Sequence, residues 1–515
     1  MKKIFTLTLA ALFAVSAFAL DVNIYASGLK SSATTAENKV EIEYILNAPA
    51  TALEVQLFDE DGEVIASVPI VGDDYMTVGF HYATIDLAEV PGGSWNWGVK
   101  ATGVSNPGPD DEEDDPILEQ VNGKEAVSYI FYNPQGVVSD RSFESDWFGR
   151  LYVTESMDGD TDGMTDTSKG QKRGVFVYDQ TYNPAYDQNN TGYLGGVDFH
   201  NGRQGIRRPA VDAEGNVFVC DNNVDAPANS TGIWMMNPAD PSANFVEILD
   251  VTKRGVIYTK ACGVAVEGVG AERVIYVLDN MKAIVRFPIG EATAPYSLAP
   301  DTVVPQSMFE AFNIVNSECT FKLDGKGGFW IFQNRGQLDM YPMCAHINKK
   351  GELDFQIAKG MNDEIAPSTG YRGSGAISFD GSMLAFGGAK SVNLYEIEWS
   401  GSKVSSLKRV IDYEFPNIGT NVDGIEFDVA NNVFVVSASS EYMHIFALPK
   451  VDNTFITPAP KKYLIESKNE TGVENIVSGK TFHKGVYDIT GKYIGENTDN
   501  LPKGMYIVNG KKLVK

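Results

Sequence analysis

One motif recurs through the middle of the chain: an apolar-alternating run, a tight turn holding an acidic residue and a glycine, and a second apolar run. Its clearest copy is PAVDAEGNVFVCDN, from Pro209 to Asn222. Further copies are CGVAVEGVGAERVIYVLDN from Cys262, CTFKLDGKGGFWIFQN from Cys319, GAISFDGSMLAFGG from Gly375 and GIEFDVANNVFVVS from Gly424, with a looser one, WFGRLYVTES, from Trp147. Taking the acidic turn residue as anchor, Asp146, Asp212, Glu267, Asp324, Asp380 and Asp428 lie 66, 55, 57, 56 and 48 positions apart. A pair of short strands cannot bury its apolar faces alone, so copies repeating at such a period, roughly 50 residues, predict small sheets arranged round an axis, a β-propeller.

Each repeat from about Asn133 to Pro449 adds a third apolar run: GVFVYD at Gly174, GIWMMN at Gly232, AIVRFP at Ala283, CAHIN at Cys344, VNLYEIE at Val392 and MHIFALP at Met443. Fourth strands are clearest in VEIL at Val246 and LKRVIDY at Leu407. A ring of blades must not leave two edges unpaired, and AVSYIFY, Ala126 to Tyr132, is the strand expected to close it. The pattern resembles the six-bladed propellers of the NHL-repeat and gluconolactonase-like group, with its "GhxhDxxGNhhV" core. That resemblance implies the fold, and propellers serve enzymes and binding proteins alike.

Ahead of the repeats, VEIEYIL at Val40, LEVQLF at Leu53, the turn DEDGE at Asp59 and GSWNWGVKATG at Gly93 alternate as strands. They predict an immunoglobulin-like β-sandwich used as a spacer. The run NPGPDDEEDDP, Asn106 to Pro116, offers nothing to bury and reads as a solvated linker. After Lys468 the tail GVYDITGKYIGENTDNLPKGMYIVNGKKLVK, from Gly485, carries three short strands on glycine turns and a lysine-rich end. It resembles the C-terminal sorting domain of the type IX secretion system of Bacteroidetes through Tyr487, Asp488, Gly491, Lys492, Leu501, Pro502, Gly504, Tyr506, Gly510 and Lys511. The resemblance implies that the secretion machinery is a partner and that the protein reaches the outside of a Gram-negative cell, released or held at its surface.

At the other end, Lys2 and Lys3, the apolar run Ile4 to Phe18 and Ala17-Phe18-Ala19 have the three parts of a signal peptide, with cleavage expected after Ala19. No cysteine follows that site to carry a lipid, and no other run nears the roughly 20 apolar residues of a transmembrane helix. The expected all-β organisation is therefore a signal peptide (1–19), a sandwich (20–104), a linker (105–125), a six-bladed propeller (126–450), a second linker (451–471) and a small β sorting domain (472–515). A net charge of −26 argues against nucleic acid and anionic membrane as partners, since lysine and arginine must replace phosphate counterions. Four cysteines are too few to staple 515 residues, and they read as buried thiols packed as small apolar groups.

Strand geometry places chemistry. The residues leading into the inner strands, Gln135, Arg208, Cys262, Glu318, Ser374 and Asp423, are expected to ring the mouth of the central channel, with His200 on a loop of the same face. Arg208, Glu318, Asp423, Ser374 and His200 are the candidate ligand-binding set. Arg208, Glu318 and Asp423 can equally form a closed ion-pair network. The lactonase resemblance would put a divalent cation at Asp423 and Glu318, but no asparagine begins an inner strand and Arg208 adds a competing positive charge. A second candidate is DGDTDGMTD: Asp158, Asp160, Asp162 and Asp166 alternate on a curled backbone, as oxygen ligands for Ca2+ do, although Lys169 stands where a bidentate glutamate would close the loop. The expected function is binding of an extracellular glycan or peptide, with a metal-dependent lactonase or lyase as the alternative.

Overall fold

The computed structural model describes residues 20–107, 118–123, 127–159, 171–222, 232–314, 319–333, 341–367, 373–388, 390–414 and 421–469, with 486–488, 493–495, 505–508 and 511–514 near the C-terminus. The expected signal peptide and most of the acidic run lie outside these residues.

The repeats fold as six antiparallel sheets whose inner strands are Pro134–Ser139, Ile206–Val211, Ala261–Glu267, Thr320–Leu323, Ser374–Ile377 and Gly424–Phe427. Each inner strand neighbours the next, and the sixth returns to the first, so the ring closes. Among the described residues, blades 2 to 5 contribute four consecutive strands each, and blade 1 has three. Between adjacent blades the alternating apolar residues form successive cores, such as Val138, Tyr152, Ile206 and Val219 between blades 1 and 2.

The turn after the inner strand explains the repeat in blades 2, 4 and 6. The Asp212 carboxylate accepts the backbone N–H groups of Glu214 and Asn216, both at 2.9 Å. Asp324 does the same for Lys326 and Gly328, and Asp428 for Ala430 and Asn432. An aspartate holding the N–H groups two and four residues on makes a tight turn whose two strands can pair at once. Blade 1 departs from the expected anchor. The turn aspartate there is buried Asp140, which accepts from Ser142 N and Ser145 Oγ, whereas Asp146 is half exposed and pairs with Lys462.

Ring closure also differs from expectation. The outermost strand of blade 6 is Glu119–Gln120, paired with Tyr442–Ala447. Val127–Tyr129 is a 3-10 turn, because the aromatic residues there wedge into the seam between blades 1 and 6. Tyr129 stacks on Tyr178 at 5.9 Å, and Phe131 meets Phe176 edge-on at 5.3 Å.

The N-terminal region forms two sheets around one core. In Lys39–Leu46 every second side chain, Val40, Ile42, Tyr44 and Leu46, is buried, opposite Leu53, Val55, Leu57, Trp97 and Val99. This unit is not a free spacer. Thr454–Pro458 and Ile465–Ser467, within the expected second linker, both pair with Gly93–Gly103. The Asn23 N–H donates to Asn432 Oδ1 at 2.7 Å while Asn432 Nδ2 donates to Asn23 O at 2.9 Å, and Tyr25 packs edge-on against Phe148. One apolar core runs from the sandwich into blades 1 and 6.

At the C-terminus, Val486–Asp488, Tyr493–Gly495, Met505–Val508 and Lys511–Val514 form one four-stranded sheet. Among the described residues no helix is long and apolar enough to cross a membrane.

Candidate functional site

The upper face is the one on which inner strands begin, and the sandwich sits against the lower face, on the turns of blades 1 and 6. Gln135, Arg208, Ser374 and Asp423 do converge on the axis at the upper face, joined by Thr320. Glu318 lies outside the described residues, and Cys262 contributes its backbone. The cavity these residues enclose is only about 30 Å³, room for one or two waters.

Arg208 closes the upper channel. It sits at a register break in its strand with φ +47, a left-handed conformation that a non-glycine residue adopts at some cost. The irregularity sends its side chain across the axis, where Nη1 donates to the Cys262 carbonyl at 2.7 Å and to the Cys319 carbonyl. Burial, then the neighbouring Arg207, lowers the Arg208 pKa to about 9. Arg207 itself is 6 % exposed and donates to Gln135 Oε1 at 3.3 Å.

The other expected ligand-binding residues also have partners. Ser374 Oγ donates to the Val422 carbonyl at 2.9 Å. Asp423 Oδ2 accepts from Ala438 N at 2.8 Å, which ties the start of the inner strand of blade 6 to the end of its second strand. The His200 ring folds back over Gly202, so close that a Cβ there would strike Nε2.

Sequence reading missed a second ring on the same face. The last residues of the second strands hold the segments leading into the inner strands. Glu155 accepts from Tyr132 N, Asn133 N and Met157 N. Asp221 accepts from His200 N at 2.9 Å, and Asp279 from Thr259 N at 2.7 Å. The acids stand at one position of the repeat, in VTES, VCDN and VLDN, and that recurrence was the available signal. Burial dominates at Glu155 and raises its pKa to about 7 against several backbone donors.

The lower channel is closed by another group. Glu426, 1 % exposed, lies between Lys322 Nζ at 2.6 Å and Arg141 Nη1 at 3.7 Å, and Arg141 donates to the Ile377 carbonyl at 2.8 Å.

Of the expected calcium ligands, Asp158 is described, and Asp160, Asp162 and Asp166 lie outside the described residues. Asp158 Oδ2 pairs with Arg173 Nη1 at 2.6 Å and Oδ1 accepts from Arg173 N. Among the described residues no three His, Cys, Asp or Glu side chains converge as a metal site would require. Cys220, Cys262, Cys319 and Cys344 are all buried thiols outside any disulfide, and burial raises Cys220 and Cys344 to about 12.

No protein-family model and no curated protein matches the sequence. In structure the chain is similar to a protein of unknown function from Bacteroides thetaiotaomicron, at 12 % identity over 81 % of this chain and 98 % of that one, TM-score 0.37. It is also similar to the Cps50 (Swd1) β-propeller domain of Myceliophteria thermophila, at 10 % identity over 65 % and 100 %, TM-score 0.35. A putative phosphatase from Bacteroides thetaiotaomicron matches at 10 % identity over 81 % and 97 %, TM-score 0.35. Likenesses at this level carry no argument about function.

Proposed function

We propose that this is a secreted or cell-surface propeller whose upper face binds an extracellular glycan or peptide. The observation that supports the reading is an asymmetry of connections. On the lower face the strands of blades 2, 4 and 6 are joined by short aspartate-anchored turns. The sequence between second and third strands is longest in blades 1, 2 and 4, where those strands end and begin on the upper face at Glu155 and Gly174, Asp221 and Gly232, and Phe332 and Cys344, and recognition resides in loops carried by a rigid scaffold. With Arg208 across the axis, a ligand engages the rim rather than the channel. Export rests on the signal-peptide pattern of 1–19 and on the tail's resemblance to type IX sorting domains; Ca2+ at Asp158, Asp160, Asp162 and Asp166 would stiffen the loop of blade 1.

The test is a glycan and peptide array followed by titration of the best ligand. His200→Ala together with Arg203→Ala, an exposed residue of the same segment leading into the inner strand of blade 2, should weaken binding at least fivefold, about 1 kcal/mol, without moving the melting temperature. Unchanged affinity would remove the ligand from this face. A metal-dependent lactonase or lyase would need an open cation site at Glu318 and Asp423; metal content that falls with Asp423→Ala would favour that alternative.

A further inference from the structure

The lower face carries a depression of about 350 Å³, lined by Ser139, Arg141, Ser142, Phe143, Asp212 and Phe379 among others. That volume lies in the range of small-molecule sites, roughly 300–1,000 Å³. It sits where the inner strands of blades 1, 2 and 5 end, beside the sandwich, since Phe143 also packs on Phe148, which meets Tyr25.

Three features of its wall point to one ligand chemistry. Phe379 is 45 % exposed although large and apolar, and Phe143 holds it edge-on at 5.3 Å. Its ring is thus a fixed, accessible platform. The charge of the wall is uneven. At the Arg141 end, Arg141 and Lys322 behind it share the single carboxylate of Glu426, which leaves one positive charge there in a protein of net charge −26; at the other end Asp212 and Glu214 share Arg273. Finally, Ser139 is 4 % exposed and its Oγ has no hydrogen-bond partner, a costly state for a buried hydroxyl.

We propose that this depression binds one acidic sugar residue of a polysaccharide. The apolar face of the sugar ring stacks on Phe379, the carboxylate meets Arg141, and a ring hydroxyl satisfies Ser139. The depression is open to solvent, so the neighbouring sugars of a chain can extend beyond it. This site is separate from the upper face and does not depend on binding there.

The experiment is calorimetric titration of the full chain with a tetramer of galacturonic acid, with neutral maltotetraose and an oligoglutamate peptide as controls. The acidic tetramer should bind, and maltotetraose should bind at least tenfold more weakly. Phe379→Ala, a change at an exposed ring that leaves the fold intact, should weaken binding at least fivefold, as should Arg141→Lys. His200→Ala should have no effect. Equal binding of maltotetraose, equal or tighter binding of oligoglutamate, unchanged affinity in Phe379→Ala, loss in His200→Ala, or no binding of the acidic tetramer would each overturn the proposal.

Discussion

At Asp140 a single side chain sets both the geometry of a turn and a pH response. Burial dominates its electrostatics and raises its pKa to about 7, against hydrogen bonds from Ser145 and Ser142; the same cause raises Asp428 to about 6 and Glu155 to about 7. Unfolding returns each group to an ordinary carboxylate, so over pH 4–7 the folded state binds more protons than the unfolded one. The contribution of these groups is full below the unfolded value and is lost as pH rises through 6 to 7. The melting temperature should therefore fall between pH 5.5 and pH 8, as a calorimetric pH series will read. Asp140→Asn keeps the acceptor for the turn and removes the titration, so its pH slope should be shallower by about 1.4 kcal/mol per pH unit. Arg208→Met should cost about 2–4 kcal/mol, since two carbonyls on the axis lose a charged donor; denaturant unfolding with an unchanged midpoint would show that the arginine is no clamp. Both residues were visible in the sequence, but their environments were not. Asp146 fitted the spacing better than Asp140 because the turn of blade 1 is longer than the others, and spacing alone cannot say which carboxylate is buried.

Among the elements, inner, second and third strands were legible because each alternates strongly and is followed by a turn with its own chemistry. Strands that borrow their context were not. Glu119–Gln120 is two polar residues long and exists only because the edge of Tyr442–Ala447 needs a partner. Thr454–Pro458 shows no clean alternation and is fixed by the register of Thr454 opposite Thr102. In the candidate site, the convergence of Gln135, Arg208, Ser374 and Asp423 followed from repeat geometry, while the partners of Gln135, Arg208 and Ser374 came from neighbouring blades that no spacing reveals. Ending the chain at Asp452 removes two of the three strands that pair with Gly93–Gly103, leaving Ala50–Phe58, and with them goes the Tyr463 carbonyl that accepts from Trp97 Nε1 at 2.8 Å. The sandwich should then melt well below the propeller, as two calorimetric transitions in place of one. A single unshifted transition would mean that the first hundred residues hold themselves together.

Over the whole molecule, the sandwich and propeller share an apolar core, and the full chain carries an excess of 26 negative charges. Like charges crowded into a compact body repel, and salt shortens their reach from about 30 Å at 0.01 M to about 8 Å at 0.15 M. Raising NaCl over that range at pH 8 should increase the melting temperature by a few degrees, and a decrease would mean that surface ion pairs outweigh the repulsion. The connectivity has a further consequence in time. Glu119–Gln120, made before blade 1, waits for Tyr442–Ala447 of blade 6, and the sandwich, begun near residue 26, waits for Ile465–Ser467. Closing loops of several hundred residues is slow and exposes unpaired edges meanwhile. During synthesis, then, the first strands made spend most of the chain's elongation without their final neighbours, and the native state becomes accessible only after nearly all of its residues have left the ribosome.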